Sequence, residues 1–113
     1  MKKMLKEMFD LQVDFQSRVC DFPVFNIQKE HIDYIRSQTL ACIDELMEAL
    51  HNTPWKPWKK NQKFDREKFK EELVDVWHFL INLTLASGMG PTSLYQRFIK
   101  KNKENNKRQD EGY

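Results

Sequence analysis

Cysteine is scarce in this chain, and its scarcity limits the kinds of site that the sequence allows. The 113 residues include two cysteines, Cys20 and Cys42, which form neither a metal-ligand spacing nor a framework of disulfide bridges. Two isolated thiols are typical of a protein from a reducing compartment. The sequence therefore predicts a cytoplasmic protein, or one in the host cytoplasm if the chain is viral.

Long hydrophobic runs are also absent. No uninterrupted apolar stretch approaches the roughly 20 residues that a membrane-spanning helix requires. At the amino terminus, Lys6, Glu7 and Asp10 interrupt the apolar residues before a run of signal-peptide length can develop. We therefore expect no membrane partner.

Neither sign of charge dominates the composition. Nineteen basic and seventeen acidic residues give a formal net charge of +2, so the balance does not require a polyanionic partner, and nucleic acid is not expected. The basic residues are nevertheless concentrated in segments 56–63 and 100–108. A chain of this length predicts a single domain, residues 1–113, that is small enough to benefit from pairing with another subunit.

Strand-like alternation bounded by turn residues is lacking, and apolar residues recur at helical spacing almost throughout. The expected fold class is all-α, a bundle of four to five helices completed by oligomerisation. Asp65 is a candidate N-cap for the third helix, and Pro91 favours the first turn of the fourth. The polar segment 100–113 is expected to be a flexible substrate-binding tail. Four helices are predicted. The first ends near Pro23, the second extends over about 28–51, the third extends from Asp65 to about Ala86, and the fourth begins near Pro91 and ends near residue 99.

Two pairs of carboxylates interrupt apolar stretches of the second and third predicted helices. They are Glu45 with Glu48 and Glu72 with Asp75. Each pair has an i, i+3 step, which places both side chains on one side of a helix. Anions left unpaired there would repel one another and be costly to bury, so we expect a cation between them. Mg²⁺, with Mn²⁺ as the alternative, prefers such oxygens and commonly bridges a protein to phosphates.

From Leu73 to Ala86 the third predicted helix is apolar except at Asp75, His78, Asn82 and Thr84. Asp75, His78 and Asn82 stand at i, i+3 and i+7 and therefore share a stripe. For each residue alone, a satisfied polar group in the core is a sufficient explanation. Two matched acidic pairs together with an aligned amide favour a functional site, from which we leave out His78 as a packed core histidine. We also expect Trp55 and Trp77 in the core.

Together these motifs resemble the all-α nucleoside triphosphate pyrophosphohydrolases, a superfamily that includes the dimeric dUTPases and the MazG-like enzymes. The acidic pairs are shared by the whole superfamily, whereas the Trp-Lys loop and the carboxy-terminal motif look most like the dimeric dUTPase branch. The resemblance rests on Glu45-x-x-Glu48, on Glu72-x-x-Asp75 followed by Trp77-His78-Phe79-x-x-Asn82, on Trp55-Lys56-Pro57-Trp58-Lys59, and on Lys101-Asn102-x-x-Asn105-x-x-Arg108-Gln109.

The resemblance implies hydrolysis of a nucleoside triphosphate, foremost dUTP, to the monophosphate and pyrophosphate. Glu45, Glu48, Glu72 and Asp75 would be the catalytic residues and would hold the Mg²⁺ ions, which clamp phosphates and lower the pKa of a bound water. Glu45 or Glu48 would accept the proton of the attacking water, and the sequence does not separate these two.

The resemblance also implies a set of substrate-binding residues. A side-chain amide on the first helix would form hydrogen bonds with the edge of the base, and Gln12 and Gln16 occupy that stretch. The alternative, which has equal weight, is that both glutamines face water. Trp58 would stack on or cover the base. The other candidates are Lys56, Lys59, Lys101 and Arg108 for the phosphates, and Asn82, Asn102 and Asn105 for the sugar or the phosphates.

Two departures from the dUTPase pattern leave alternatives open. The chain is short for that branch, and Gln16 stands where Asn or Asp is frequent. A MazG-like enzyme for another nucleotide, such as dGTP or dATP, is therefore a second hypothesis. A non-catalytic module for single-stranded nucleic acid and a purely structural bundle are hypotheses from other classes. Because so few helices cannot enclose a whole nucleotide, we expect a homodimer or homotetramer whose active site draws on a neighbouring chain, with the 100–113 tail crossing over.

Overall fold

The computed structural model describes residues 2–19 and 28–112, in which all regular secondary structure is helical. The prediction of an all-α fold is confirmed. Contacts between residues of the chain define two compact units. One is formed by Met1–Phe22 with Ser87–Tyr113, and the other by Pro23–Ala86. The helices are α1 (Lys2–Val19), α2 (Gln28–His51), α3 (Arg66–Ala86) and α4 (Pro91–Asp110).

Helices α2 and α3 form an antiparallel pair within the unit Pro23–Ala86, and three contacts define its register. Near the start of α2, His31 Nε2 lies 2.6 Å from the carbonyl oxygen of Ala86. Further along, Asn82 Nδ2 donates to Gln38 Oε1 at 2.9 Å. At the other end, the Asp65 amide donates to the Asn52 carbonyl at 2.9 Å. Because residue numbers rise on α2 as they fall on α3, the second half of α2 faces the first turns of α3.

Local capping explains why the connection between these helices has a fixed path. The Lys68 amide donates to Asp65 Oδ1 at 3.1 Å, so Asp65 is the N-cap that the sequence predicts. On α2, Asn52 Nδ2 donates to the Glu48 carbonyl at 2.9 Å and satisfies an acceptor in the last turn. The last turn of α2 and the first turn of α3 are therefore anchored together.

Helix α4 is longer than the sequence predicts. It begins with Pro91 after the N-cap Gly90 and continues to Asp110, so most of the expected flexible tail is helical. Lysine, which has high helix propensity, is the commonest residue from 100 to 110. This segment also contains side-chain contacts at helical spacing, such as Asn106 Nδ2 donating to the Asn102 carbonyl at 3.1 Å. The predicted end of the first helix near Pro23 lies outside the described residues, as does Cys20.

Several side chains expected in a core are exposed instead. Trp77 is 51% exposed and Trp55 is 38% exposed, and His78 is also exposed. Tryptophan is rarely fully buried and histidine is often only partly buried, so the size and ring character of these side chains do not by themselves place them in a core. Cys42, in contrast, is a half-buried free thiol. In the part of the chain that the structure describes, no helix combines the length and the apolarity that a membrane span needs.

Candidate functional site

The antiparallel pairing of α2 and α3 brings carboxylates from the two helices together. Glu45, Glu72 and Asp75 each place an oxygen within 4.8 Å of the others'. The i, i+3 step on α3 directs Glu72 and Asp75 toward α2, and Glu45 meets them from the second half of α2. Glu45 and Glu72 are half-buried, whereas Asp75 is exposed. Three carboxylate oxygens at this separation are a geometry that a divalent cation can bridge.

A second group of carboxylates shares Glu45. Asp44, Glu45 and Glu48 also place one oxygen each within 4.8 Å of one another. Sequence reasoning missed Asp44 because adjacent residues on a helix point about 100° apart, and attention to the i, i+3 step selected Glu45. The signal was nevertheless present, since Asp44 stands four residues before Glu48 and therefore lies on the same side of α2 as Glu48. The two groups together form the carboxylate cluster: Asp44, Glu45, Glu48, Glu72 and Asp75.

The electrostatics of the carboxylate cluster favour the binding of a cation. Burial is the largest cause that raises the pKa of Glu45 from its ordinary 4.5 to about 7, followed by a hydrogen bond with Glu72 and the charges of Glu48, Asp75 and Glu72. Within the described residues, the buried Glu45 Oε2 has no hydrogen-bond partner. The ion pairs found in the same part of the chain involve none of the cluster's carboxylates. The chemistry of this donor set fits a hard divalent cation.

The raised pKa of Glu45 predicts how the metal-free protein responds to pH. Since the folded-state pKa lies above the unfolded value, the folded state binds more protons, and its stability falls as pH rises from about 4.5 to about 7. We expect a loss on the order of 1 kcal/mol after allowance for solvent screening at a half-buried group. Urea denaturation in the presence of a chelator at pH 5 and pH 8 measures this difference.

Two variants separate Glu45 from the other groups that titrate over the same range. Glu45→Gln should be less sensitive to pH than the wild type between these two conditions. The matched control is Glu67→Gln, since Glu67 is exposed and pairs with Lys70 at 3.2 Å. An unchanged pH response in Glu45→Gln would show that the cluster does not hold the proton at Glu45.

The polar line predicted on α3 continues beyond the carboxylate cluster. Asn82 is 2% exposed, and its Nδ2 donates to Gln38 Oε1 at 2.9 Å. Asn82 stands seven residues after Asp75, and Gln38 stands seven residues before Glu45, which is roughly 10 Å along each helix. The Asn82 side chain is thus a buried, hydrogen-bonded group that lies between α2 and α3, as the carboxylate cluster does.

The loop between α2 and α3 is tied together by one carboxamide. Gln62 Nε2 donates to the Lys56 carbonyl and, at 2.7 Å, to the Lys59 carbonyl, while Gln62 Oε1 accepts from the Lys56 amide at 3.2 Å. Asn61 has a φ of 61°, in the left-handed region that Asn tolerates better than most residues. Sequence reasoning selected the Trp-Lys residues of this loop but not Gln62, which holds them.

The tryptophans of this loop are in contact with each other. The rings of Trp55 and Trp58 meet edge to face with centroids 5.7 Å apart, and Trp58 is 72% exposed. Lys56 and Lys59 line a cleft of about 230 Å³ beside the loop, and Trp58 is not among its lining residues. A largely exposed indole is available to stack on a base, as the sequence predicts for Trp58.

The remaining predicted substrate residues belong to the unit that contains α1 and α4. Gln12 and Gln16 are buried, at 4% and 7% exposure, so the alternative that both face water is wrong. The four candidates on α4 are all exposed; they are Lys101, Asn102, Asn105 and Arg108. Lys101 Nζ lies 3.9 Å from Glu104 Oε2.

Comparison with known proteins gives a consistent assignment. Residues 4–94 match the family described as dUTPase. A dCTP pyrophosphatase of Enterobacteria phage T4 is 32% identical over 100 residues, which cover 76% of this chain and 58% of the relative. A dCTP pyrophosphatase of Enterobacteria phage LZ5 is 38% identical over 98 residues, covering 72% of this chain and 57% of the relative. The chain therefore spans somewhat over half the length of these relatives. No solved structure matches it significantly.

Proposed function

Because this chain belongs to the dUTPase family of all-α nucleoside triphosphate pyrophosphohydrolases, we propose that it is a metal-dependent enzyme that converts a deoxynucleoside triphosphate to the monophosphate and pyrophosphate. The observation that carries the proposal is the carboxylate cluster, in which α2 and α3 hold five acidic side chains that take part in none of the ion pairs among the described residues. Phosphate chemistry asks a protein mainly for positioning and electrostatic stabilisation, which such a cluster provides once it holds a cation.

The residues of the cluster have distinct tasks in this proposal. Glu45, Glu48, Glu72 and Asp75, joined by Asp44, would hold Mg²⁺ or Mn²⁺, which supplies charge neutralisation at the phosphates and a water of lowered pKa. Glu45 or Glu48 accepts the proton of the attacking water. Lys56 and Lys59 contact phosphates, and Asn82, which is buried and donates to Gln38, would act on the sugar through that neighbour. No covalent nucleophile is required.

The base preference follows from amide chemistry and from the relatives. A carboxamide both donates and accepts hydrogen bonds, so Gln12 and Gln16 can match the imide edge of uracil and, after rotation of the amide, the edge of cytosine. We therefore propose dUTP as the substrate, with dCTP as the second candidate because both curated relatives are dCTP pyrophosphatases. A purine triphosphate such as dGTP or dATP is the third.

A second subunit is part of the proposal. Large apolar side chains on α2 and α3 are exposed, among them Ile43 at 53%, Val74 at 55% and Trp77 at 51%. Exposed apolar surface of this extent is typical of a surface that another protein covers. We propose a homodimer or homotetramer in the cytoplasm, the host cytoplasm if the chain is viral, with residues 1–113 as one domain of each subunit and α4 contributing Lys101, Asn102, Asn105 and Arg108 to the substrate.

A panel of all common ribo- and deoxynucleoside triphosphates with Mg²⁺, scored for monophosphate and pyrophosphate, tests the proposal. We expect highest turnover of dUTP or dCTP, by about tenfold or more over purine nucleotides, because the carboxamides of Gln12 and Gln16 match the hydrogen-bonding edge of a pyrimidine. Failure to turn over any nucleotide would contradict the enzyme. Salt-dependent binding of oligonucleotides without divalent ions would then favour the single-stranded nucleic-acid module.

A further inference from the structure

The cleft beside the loop after α2 carries unbalanced positive charge. Lys56, Lys59 and Lys63 line it, together with His51, and its lining includes no carboxylate. Among the described residues, none of these three lysines takes part in the ion pairs that the structure contains. The three cations around this cleft of about 230 Å³ repel one another. The resulting positive electrostatic potential attracts an anion.

The backbone of the cleft is held in place by the protein itself. Gln62 bonds both backbone groups of Lys56 and the carbonyl of Lys59, and the Lys59 amide donates to the Lys56 carbonyl at 3.2 Å. These bonds fix the positions from which the Lys56 and Lys59 side chains leave the backbone, and Lys63 directly follows Gln62. A preformed site loses less entropy when it binds a ligand. The loop is therefore organised for binding and is not merely a connection between helices.

The position of the cleft relates it to the carboxylate cluster. The first residue of its lining is His51, at the end of α2. His51 follows Glu48 by three residues, which is a rise of roughly 4.5 Å along the helix axis. Both features belong to the unit Pro23–Ala86. An acidic centre that fits a cation therefore adjoins a cationic pocket, an arrangement that a chain of phosphates can span.

From this arrangement we propose that the cleft binds the β- and γ-phosphates of the substrate and then the pyrophosphate product, with Lys63 as a third contact beside Lys56 and Lys59. The inference rests on the proposed function. Water attacks the α-phosphorus and gives its proton to a carboxylate of the cluster. The bond between that phosphorus and the bridging oxygen breaks, and pyrophosphate leaves with the electron pair. Lysines around the leaving group stabilise the charge that it gains.

The occupant is a diphosphate and not a base for two reasons. Apart from Trp55, the lining consists of cationic and polar side chains, whereas a base site is expected to offer flat apolar surfaces. The exposed Trp58, which is suited to stacking, does not line the cleft. Three ammonium groups also match a doubly phosphorylated group better than a single phosphate.

Calorimetric binding of inorganic pyrophosphate and of dUMP, both with Mg²⁺, tests the inference without requiring turnover. Lys63→Ala should weaken pyrophosphate binding by about tenfold, as the loss of one charge-assisted contact does, and change dUMP binding less than about twofold. Lys63→Arg should retain pyrophosphate binding because it keeps the charge. The matched control is Lys60→Ala, since Lys60 is an exposed lysine of the same loop that does not line the cleft.

Two outcomes would overturn the inference: pyrophosphate binding unchanged in Lys63→Ala, or an equal loss for dUMP and pyrophosphate. Either result leaves the proposed function standing if the wild type releases pyrophosphate from a nucleotide. Conversely, pyrophosphate binding that depends on Lys63 in a protein without turnover would support the anion site and contradict the enzyme. Circular dichroism of each variant identifies a loss caused by unfolding, and Lys63→Arg then decides.

Discussion

Glu72→Gln and Asp75→Asn are each expected to lower kcat/KM by about a thousandfold or more, since each removes a ligand of the proposed cation and hence charge stabilisation in the transition state. Both residues lie on α3 and place their oxygens beside that of Glu45. Steady-state release of pyrophosphate from dUTP and dCTP measures the effect. Glu67→Gln, in the first turn of the same helix, is the matched control and should stay within about twofold of the wild type, because exposed ion pairs contribute little.

The same variants distinguish a catalytic role from a structural one. The charges of Asp75 and Glu72 both raise the pKa of Glu45, so the cluster is a site of repulsion in the metal-free protein. Removing one charge should leave the thermal midpoint unchanged or raise it, as is common where function requires crowded like charges. A structural bundle held by these carboxylates would instead lose stability. A lower midpoint that accompanies the loss of activity would contradict the catalytic assignment.

Chelation of divalent cations is expected to abolish turnover, and addition of Mg²⁺ should restore it. Mg²⁺ should also raise the thermal midpoint of the wild type, because a ligand that binds only the folded state stabilises it, by about 2.7 kcal/mol at a hundredfold excess over its Kd. Glu45 belongs to both groups of carboxylates. Glu45→Gln should therefore lose most of the stabilisation by Mg²⁺, which differential scanning calorimetry measures.

Asp44→Asn provides the comparison for this second experiment. Asp44 belongs to one of the two groups, so the group that contains Glu72 and Asp75 remains intact in this variant. We expect part of the Mg²⁺ stabilisation to persist in Asp44→Asn. Full activity in the presence of a chelator, or an equal response to Mg²⁺ in the wild type and Glu45→Gln, would contradict metal binding at the cluster.

Much of the fold was accessible from the sequence because its determinants are local. The bounds of α2, Gln28–His51, follow from helical periodicity ended by Asn52 and Pro54, and the Asp65 cap marks the beginning of α3. The i, i+3 acidic pairs also predicted that α2 and α3 would direct carboxylates toward each other. Local signals of this kind need no knowledge of the neighbouring elements.

Other features depend on neighbours that a periodic pattern does not reveal. Trp77 reads as a core residue because it is large and apolar, but its exposure depends on what packs against α3. Gln62 is one polar loop residue among several, and only the path of the backbone shows that it bonds Lys56 and Lys59. The helical continuation of α4 depends on propensities and side-chain pairs that accumulate over many polar residues.

The most direct measurement is the anomalous scattering of Mn²⁺ in crystals grown with a non-hydrolysable dUTP analogue. The account predicts a peak at bonding distance, about 2.0–2.3 Å, from carboxylate oxygens of Glu45, Glu72 and Asp75, with the phosphates of the analogue bound to the same ion. A peak remote from these oxygens, or carboxylates of the cluster engaged by lysine or arginine while the nucleotide binds elsewhere, would contradict it.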